Sequence, residues 1–247
     1  MDRAEGRDRW HRLRHMPSTP PRRRIKSRRR VASDGSTPAR YGPSEYSDCM
    51  AATNQTRSVA DIARLFPNLM DIKDAGLREK VAAVWSEALN VGCGGKGWKE
   101  EEIRAIPFTL LAGDIDMRFV EHLNSCCKQC IAIAGVLKEV FGPRVPVNLD
   151  VLIAGSLLAD VGKMLEFDKD ASGKVIKGRF GDMLRHPFSG VALCYKHGIP
   201  AEVMHIVATH SFEGDPPKVE RSIESWIFHH ADFIDFDIAK VLGKKKP

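Results

Sequence analysis

Apolar residues recur at intervals of three and four along most of the chain after residue 57, which is the period of an amphipathic α-helix. The stretch SVADIARLF begins with Ser58 and has Asp61 three positions later, a pair typical of a helix N-terminus. The stretch LREKVAAVWSEALNVG, residues 77–92, carries an apolar stripe and ends at a glycine, as many helices do. A short acidic helix, WKEEEIRAI, is predicted next.

Two longer segments predict the centre of the fold. A helix from Asp116 through MRFVEHLNSCCKQCIAIAGVLKEVF keeps one apolar stripe, with His122 on or beside its buried face. Asn148 is a suitable cap for a helix through LDVLIAGSLLADVGKML, which is apolar around most of its circumference and is therefore expected to be buried. Asp160 near its end is an anomaly, because a buried carboxylate is costly unless it is hydrogen-bonded, paired or bound to a metal.

The remainder of the pattern predicts one hairpin and three more helices. EFDKDASGKVIKGRFG, residues 166–181, reads as a hairpin or long loop with Gly173 at its tip. The helices that follow carry these polar residues: His186, His205, His210, His229, His230 and Asp232. The sequence therefore predicts an all-α bundle of seven or so helices with at most one short hairpin.

Charge divides the chain into two regions. The 247 residues carry a net charge of +6, and 43% of them are apolar. Residues 1–49 hold 13 Lys and Arg against 6 Asp and Glu, which leaves 25 basic and 26 acidic residues for the rest. We interpret residues 1–55 as a disordered basic arm and residues 56–247 as a single all-α domain. We interpret the arm first as a solvated tail without a specific role, and it is the one region in which the sequence leaves nucleic-acid binding open.

Cysteine usage and hydropathy indicate a reducing, non-membrane setting. No window approaches 18 consecutive apolar residues, so no membrane span is predicted. Cys126, Cys127 and Cys130 lie in a helical pattern, and no second pair has the spacing of a zinc ribbon or finger. We expect these thiols to be small buried core residues and the protein to be cytoplasmic.

Seven histidines lie after the arm, and most of them sit beside apolar stripes on separate helices. A single histidine on a helix is more often a satisfied core or surface group than a ligand. Several of them on successive helices, together with buried Asp residues, follow the way in which an all-α scaffold assembles a metal site from residues distant in sequence.

Residues from about 115 to 237 resemble the HD-domain superfamily of metal-dependent phosphohydrolases. In this superfamily a His, a His-Asp pair and a later Asp bind one divalent metal, and a binuclear branch inserts two further histidines before the last Asp. The matching motifs are FVEHLNSC, LLADVGK, RHPFSG, VATHS and HHADFIDF, which supply His122, Asp160, His186, His210 and Asp232. Their order and spacing resemble the binuclear branch.

The resemblance implies one or two divalent ions from among Mn, Fe, Co, Zn and Mg, with Asp160 as the shared ligand. One site would use His122, Asp160 and Asp232, and the other Asp160, His186 and His210. The sequence departs from the pattern at Ala159, where the family has the His of the pair. The first site is thus one ligand short, and a water, Glu121 or Ser156 is a candidate to fill it.

The chemistry implied is attack of an activated water on a phosphoryl group. Asp160 and Lys163 are the candidate catalytic residues, and Lys163 and Arg185 are placed to contact a phosphate. Lys177 and Arg179 would join them if the hairpin folds over the site, although a solvated surface role is the alternative for all four cations.

The leading reading is a metal-dependent hydrolase of a phosphate ester or nucleotide, with a small phosphorylated molecule as its partner. Two alternatives remain open: a catalytically degenerate HD-fold ligand-binding protein, and non-phosphoryl chemistry such as that of a di-iron oxygenase. The sequence carries no clear signature of oligomerisation, and a homo-oligomer is left open.

Overall fold

The computed structural model describes residues 56–113, 115–215 and 219–244. The predicted basic arm, residues 1–55, lies outside them. The described residues form these helices: α1 (Val59–Leu65), α2 (Ala75–Val91), α3 (Glu100–Ala105), α4 (Phe119–Phe141), α5 (Leu149–Leu158), α6 (Lys163–Glu166), α7 (Arg179–Met183), α8 (His186–Lys196), α9 (Ala201–Thr209) and α10 (Ile223–Gly243). Two antiparallel strands, β1 (Phe167–Lys169) and β2 (Val175–Lys177), lie between α6 and α7. The predicted all-α class with one short hairpin is confirmed.

Local capping explains where several helices begin. The Ser58 hydroxyl accepts a hydrogen bond from the Asp61 backbone N–H, and the Asp61 carboxylate accepts one from the Ser58 backbone N–H. Asn148 caps α5 in the expected way, since its side-chain oxygen accepts a hydrogen bond from the Val151 N–H at 3.2 Å. Each such cap contributes about 1 kcal/mol to helix stability. These starts are therefore fixed by residues within one turn of the helix that they begin.

Helix α5 is the centre of the bundle. Every residue from Leu152 to Leu158 is buried, and the helix packs against α2, α4, α9 and α10. The Trp85 indole of α2 stacks near Phe66, with ring centroids 4.5 Å apart, and donates a hydrogen bond to the Leu157 carbonyl at 3.1 Å. Full burial of an apolar side chain contributes about 1.5–3 kcal/mol, so this layer provides much of the stability of the fold.

The structure interrupts the predicted helix around Asp160. Helix α5 ends at Leu158, and a tight turn follows in which the Lys163 N–H donates to the Asp160 carbonyl at 2.9 Å. Gly162 allows this turn to lie against α8, because a Cβ there would come within 2.1 Å of the His186 carbonyl oxygen. This contact is a tertiary one, and the apolar pattern of the segment therefore cannot reveal it.

The other boundary that differs is the start of α4. The helix begins at Phe119 instead of Asp116, because residues 117 and 118 pair with an extended segment that ends at Phe108. The Phe108 N–H donates to the Met117 carbonyl at 3.0 Å, and the Phe119 N–H donates to the Ile106 carbonyl at 2.9 Å. These hydrogen bonds bring the Phe108 ring beside α4.

The hairpin has the predicted turn. Phe167 pairs with Lys177 and Lys169 with Val175, and Gly173 in the loop has a φ of 84°. Glycine adopts this left-handed conformation at little cost. Among the helices of the described residues, none combines the length and apolarity that crossing a bilayer requires.

Two glycine substitutions test the packing of the Asp160 turn. Gly162→Ala is expected to destabilise the protein by about 1–3 kcal/mol, because its methyl group collides with the backbone at the start of α8. Gly135→Ala is the matched control, since Gly135 lies on the exposed side of α4 with open space around it. Alanine there should stabilise the helix by about 0.5–1 kcal/mol. Urea unfolding of both variants measures the difference, and equal changes would contradict the proposed role of Gly162.

Candidate metal centre

Four elements bring polar side chains to Asp160, which is 2% exposed. One carboxylate oxygen, Oδ1, lies 3.2 Å from His186 Nε2 and 3.7 Å from His210 Nε2. The other, Oδ2, lies 3.5 Å from His122 Nε2. Asp232, on α10, completes the group with its Oδ1 at 3.1 Å from His122 Nε2. The five residues that the sequence singled out as metal ligands therefore surround one point.

Their ligand atoms divide into two overlapping sets. Asp160, His186 and His210 form one set, and His122, Asp160 and Asp232 form the other, with all atoms of a set within 4.8 Å of one another. His186 Nε2 and His210 Nε2 are 3.2 Å apart. Asp160 belongs to both sets and contributes a different oxygen to each.

Each of the three imidazoles is held by its other ring nitrogen. His122 Nδ1 lies 3.1 Å from Asp235 Oδ2, and His186 Nδ1 lies 2.8 Å from Glu166 Oε2. His210 Nδ1 lies 2.8 Å from the Val207 carbonyl oxygen. An Nδ1–H that donates to these acceptors leaves the Nε2 lone pair of each ring directed at Asp160. Metal-binding histidines are characteristically oriented in this way.

Asp235 and Glu166 are the two functional residues that the sequence reading missed. Asp235 follows Asp232 by three positions on α10, so helical spacing was a usable signal for it. Ser125 and Gln129 donate to its second oxygen at 3.2 Å and 2.8 Å. Glu166 had no such signal, because it ends α6, and the hairpin and α7 separate it in sequence from His186.

The ionisation of the centre follows from the crowding of carboxylates. Burial disfavours the charged form of Asp160, but Lys163 and the three imidazoles outweigh burial and hold the pKa of Asp160 well below its ordinary value. Burial also opposes charging of His122, yet its hydrogen bonds to three carboxylates raise its pKa well above the ordinary value. Burial likewise opposes charging of His186, but its hydrogen bonds to Asp160 and Glu166 outweigh burial and raise its pKa.

This donor set fits a divalent cation. Two Nε2 atoms only 3.2 Å apart, each on a ring whose Nδ1 faces an acceptor, need a positive charge between or beside them. Four carboxylates contact the histidine rings of the centre: Asp232 and Asp235 contact His122, and Asp160 and Glu166 contact His186. The Lys163 ammonium forms an ion pair with one of them, at 2.8 Å from Asp160.

Ala159 lies beside the centre but contributes no polar atom to it. Its methyl group is fully buried in an apolar cluster with residues that include Cys126 and Phe228. Neither candidate replacement is available: the Ser156 hydroxyl donates to the Leu152 carbonyl at 2.7 Å, and Glu121 is exposed and caps α4. The expectation that one of these two side chains fills the vacancy therefore finds no support in their contacts.

The buried cysteines of α4 have two different surroundings. Cys126, Cys127 and Cys130 are fully buried free thiols, as expected. Cys126 also touches the centre, with its Sγ 3.5 Å from His122 Nδ1 and 3.7 Å from Asp235 Oδ2, so these three residues form a further group within ligand distance. Burial raises the pKa of Cys126 to about 11, which keeps the thiol protonated as a weak donor to Asp235.

The four predicted phosphate-binding cations have different environments. Lys163 is largely buried and stands 5.5 Å from the centroid of the Phe108 ring. Arg185 immediately precedes His186 and pairs with Glu213 at 2.9 Å. Lys177 pairs with Asp182 at 3.2 Å on the surface, and Arg179 begins α7. Lys163 therefore contacts the central group directly, through its ion pair with Asp160.

Three further histidines lie on the two helices that lead to His210 and carry Asp232. His229 Nδ1 is 2.6 Å from the His210 carbonyl oxygen, so His229 holds the backbone of that residue. His230 stacks on Trp226, with ring centroids 5.6 Å apart. His205 faces the start of α10, where its Nε2 accepts a hydrogen bond from the Ser222 N–H at 3.1 Å.

Arg221 fixes the chain that follows His210. Its guanidinium is buried and donates to the carbonyls of Thr209 and Ser211, at 2.7 Å and 2.8 Å, and to Asp215 at 3.1 Å. Gly214 allows this turn to fold back, since a Cβ there would lie 2.3 Å from the Thr209 carbonyl oxygen. The end of α9, and with it His210, is thereby held in place.

Comparison with known proteins gives two matches. A family model described as the HD domain matches residues 125–237, a segment that contains Asp160, His186, His210 and Asp232 and begins just after His122. The chain is also similar to a dihydroneopterin 2',3'-cyclic phosphate phosphodiesterase of Methanocaldococcus jannaschii, with 39% identity over 124 residues. That alignment covers 49% of this chain and 47% of the relative, so the chain spans about half the length of the curated relative that it matches. No solved structure matches the chain.

Asp235→Asn tests the ionisation of the centre. The amide keeps the size of the side chain but removes one of the three negative charges bonded to His122, so the pKa of His122 should fall. An NMR titration of the histidine ring protons in metal-free protein measures the change. Asp237→Asn, on the exposed side of the same helix, is the control and should leave that pKa unchanged. An unaltered His122 titration in Asp235→Asn would contradict this account.

Proposed function

We propose that this chain, which carries an HD domain over residues 125–237, is a metal-dependent phosphohydrolase that acts on a small phosphate ester. The observation that supports the proposal best is the grouping of three histidine Nε2 atoms around the Asp160 carboxylate, with the Asp232 carboxylate beside them. HD domains bind divalent metals, and the chemistry of this donor set agrees with such a role.

The set that contains both His186 and His210 is the stronger of the two sets of ligands. Asp160, His186 and His210 would hold one cation with two imidazoles and a carboxylate, and leave positions for water and substrate. His122, Asp160 and Asp232 would hold another with fewer protein nitrogens, because Ala159 supplies none. One ion bound firmly and a second bound weakly is the stoichiometry that we propose, with Mn, Fe, Co, Zn or Mg as the candidate metals. Such a cation polarises a phosphoryl oxygen and lowers the pKa of a water that it binds to about 7.

The protein side chains bind and orient the substrate around that chemistry. Lys163 reaches the centre from a sheltered position between aromatic rings, where its charge can stabilise a phosphoryl oxygen while it stays near Asp160. Arg185, next to His186 and one-third exposed, is placed to bind the same phosphate from the solvent side. Lys177 and Arg179 lie farther out on the hairpin and on α7, so we assign them to contacts with a larger substrate only.

The substrate class follows from the same chemistry and from the relative. The relative's name states that it hydrolyses a 2',3'-cyclic phosphate, which is a strained phosphodiester of a small molecule. We propose a small phosphodiester, with cyclic phosphates first among the compounds to test. The similarity on which this substrate class rests spans about half of each chain.

A second candidate function rests on Ala159. A domain that lacks the histidine of the pair and buries a methyl group in its place is also suited to binding a phosphorylated ligand without hydrolysing it. Metal content and turnover distinguish the two functions.

Metal content is the first test. After reconstitution, the unaltered chain should hold between one and two divalent ions, measured by inductively coupled plasma mass spectrometry. Asp160→Ala should lose both ions, and His210→Ala should lose the firmly bound one, since each removes a ligand from the complete set. His197→Ala is the control, because His197 pairs with Glu87 at 2.7 Å, away from the centre. Unaltered protein that retains no divalent ion after reconstitution would contradict the proposal.

Turnover is the second test. The unaltered chain should hydrolyse members of a panel of linear and cyclic phosphodiesters, and chelation of the metal should abolish the activity. Ala159→His adds a ring to a fully buried position, so it should cost about 1–3 kcal/mol of stability while raising the metal content toward two ions. Turnover by Ala159→His with none by the unaltered chain would favour the ligand-binding alternative instead.

A further inference from the structure

Arg185 is held so that one edge of its guanidinium remains open. Its Nε donates to Glu213 Oε1 at 2.9 Å, and its Cζ lies 4.6 Å from the centroid of the Phe212 ring. In the part of the chain that the structure describes, neither terminal nitrogen of Arg185 has a hydrogen-bond partner. A guanidinium fixed at Nε and on one face presents its two terminal nitrogens in a defined direction, and that edge matches a phosphate group.

Glu213 carries a buried oxygen that nothing satisfies. Its side chain is 10% exposed, and its Oε2 is buried without a hydrogen-bond partner among the described residues. The other two buried side-chain atoms in this condition are amide oxygens, those of Asn68 and Asn124. A buried acceptor left unpaired destabilises a fold, and a carboxylate oxygen does so more than a neutral one, so this oxygen calls for a donor that the described residues do not provide.

The fold places this pair against two of the ligands proposed for the metal. Arg185 is the residue before His186, and Glu213 follows His210 by three positions. The turn that carries Glu213 is held by the buried Arg221 and by the close approach of Gly214 to Thr209. The pair is thus attached, through short stretches of backbone, to two of the residues proposed to bind the metal.

From this geometry we infer that Arg185 and Glu213 recognise a phosphate ester at two points. The terminal nitrogens of Arg185 bind the phosphate, and Glu213 Oε2 accepts a hydrogen bond from a hydroxyl or N–H group adjacent to that phosphate on the same molecule. Glu213 also positions Arg185 through Oε1. The inference rests on the proposed function, and it narrows the substrate to phosphate esters that carry a neighbouring donor.

Binding of a matched pair of ligands tests the inference separately from catalysis. The probes are a ribonucleoside 3'-monophosphate, whose 2'-hydroxyl neighbours the phosphate, and its 2'-deoxy analogue. Titration calorimetry on the full chain, with bound metal and again with a chelator, gives both affinities. The unaltered chain should bind the hydroxylated probe about 10- to 100-fold more tightly, the range expected for a hydrogen bond to a charged group.

Variants separate the two recognition points. The glutamine of Glu213→Gln has a single amide oxygen. If that oxygen accepts the hydrogen bond from Arg185, the NH₂ group faces the donor of the ligand and cannot accept from it. The preference for the hydroxylated probe should then fall to about twofold or less. Arg185→Lys keeps the positive charge but loses the paired terminal N–H groups of the guanidinium. Both probes should therefore bind about 10-fold more weakly, while the preference for the hydroxylated probe remains. Lys196→Gln, at the far end of α8 and paired with Glu87, is the control and should match the unaltered chain.

A purely structural ion pair would behave differently. The exchange Arg185→Glu with Glu213→Arg restores opposite charges at the two positions, so a structural role predicts recovery of both the melting temperature and ligand binding. We expect recovery of the melting temperature without recovery of binding. Equal affinity of the unaltered chain for the two probes, no binding of either, or an undiminished preference in Glu213→Gln would each overturn the inference. Absence of metal or of turnover would count against the proposed function alone, because the probes are also measured with the chelator present.

Discussion

A carboxylate with almost no access to water, Asp160, lies two residues beyond α5, the central and largely buried helix of the described bundle. Removal of such a charge from water is costly unless positive groups and hydrogen-bond donors surround it. The bundle provides these groups from four directions: His122 from α4, Lys163 from the following turn, His186 from α8 and His210 from the end of α9. The positions of these elements relative to α5 can thus be understood as compensation for one buried charge.

This compensation creates a second layer of demands. An imidazole that turns Nε2 toward Asp160 must satisfy its own Nδ1–H, and the fold meets this need with Asp235, Glu166 and a backbone carbonyl. Asp235 in turn accepts hydrogen bonds from Ser125 and Gln129. The hydrogen-bond network therefore extends outward from the Asp160 carboxylate: the histidines contact it, and the residues that bond to each histidine Nδ1 fix the orientation of that ring.

How much the sequence predicts depends on how local the cause is. Helix starts at Ser58 and Asn148 are fixed by side chains within one turn, and the predicted caps are present. The five predicted ligands also converge, because each is a polar residue on or beside an apolar helical stripe. The break after Leu158, the late start at Phe119 and the role of Glu166 depend on contacts between distant segments, which periodicity does not encode. Likewise, the environment of Ala159 is visible only when Cys126 and Phe228 are seen packed beside it.

The pairing of His122 with Asp235 has a consequence for how the protein folds. These residues are 113 positions apart in the chain and 3.1 Å apart in space. His122 and Asp235 meet only where α10 packs against α4, so the complete centre requires both helices to be in place. A ligand that binds residues of both helices stabilises only the folded chain. At a free concentration one thousand times its dissociation constant, it would stabilise the fold by about 4 kcal/mol. Occupancy of the centre would thereby report whether the whole bundle is intact.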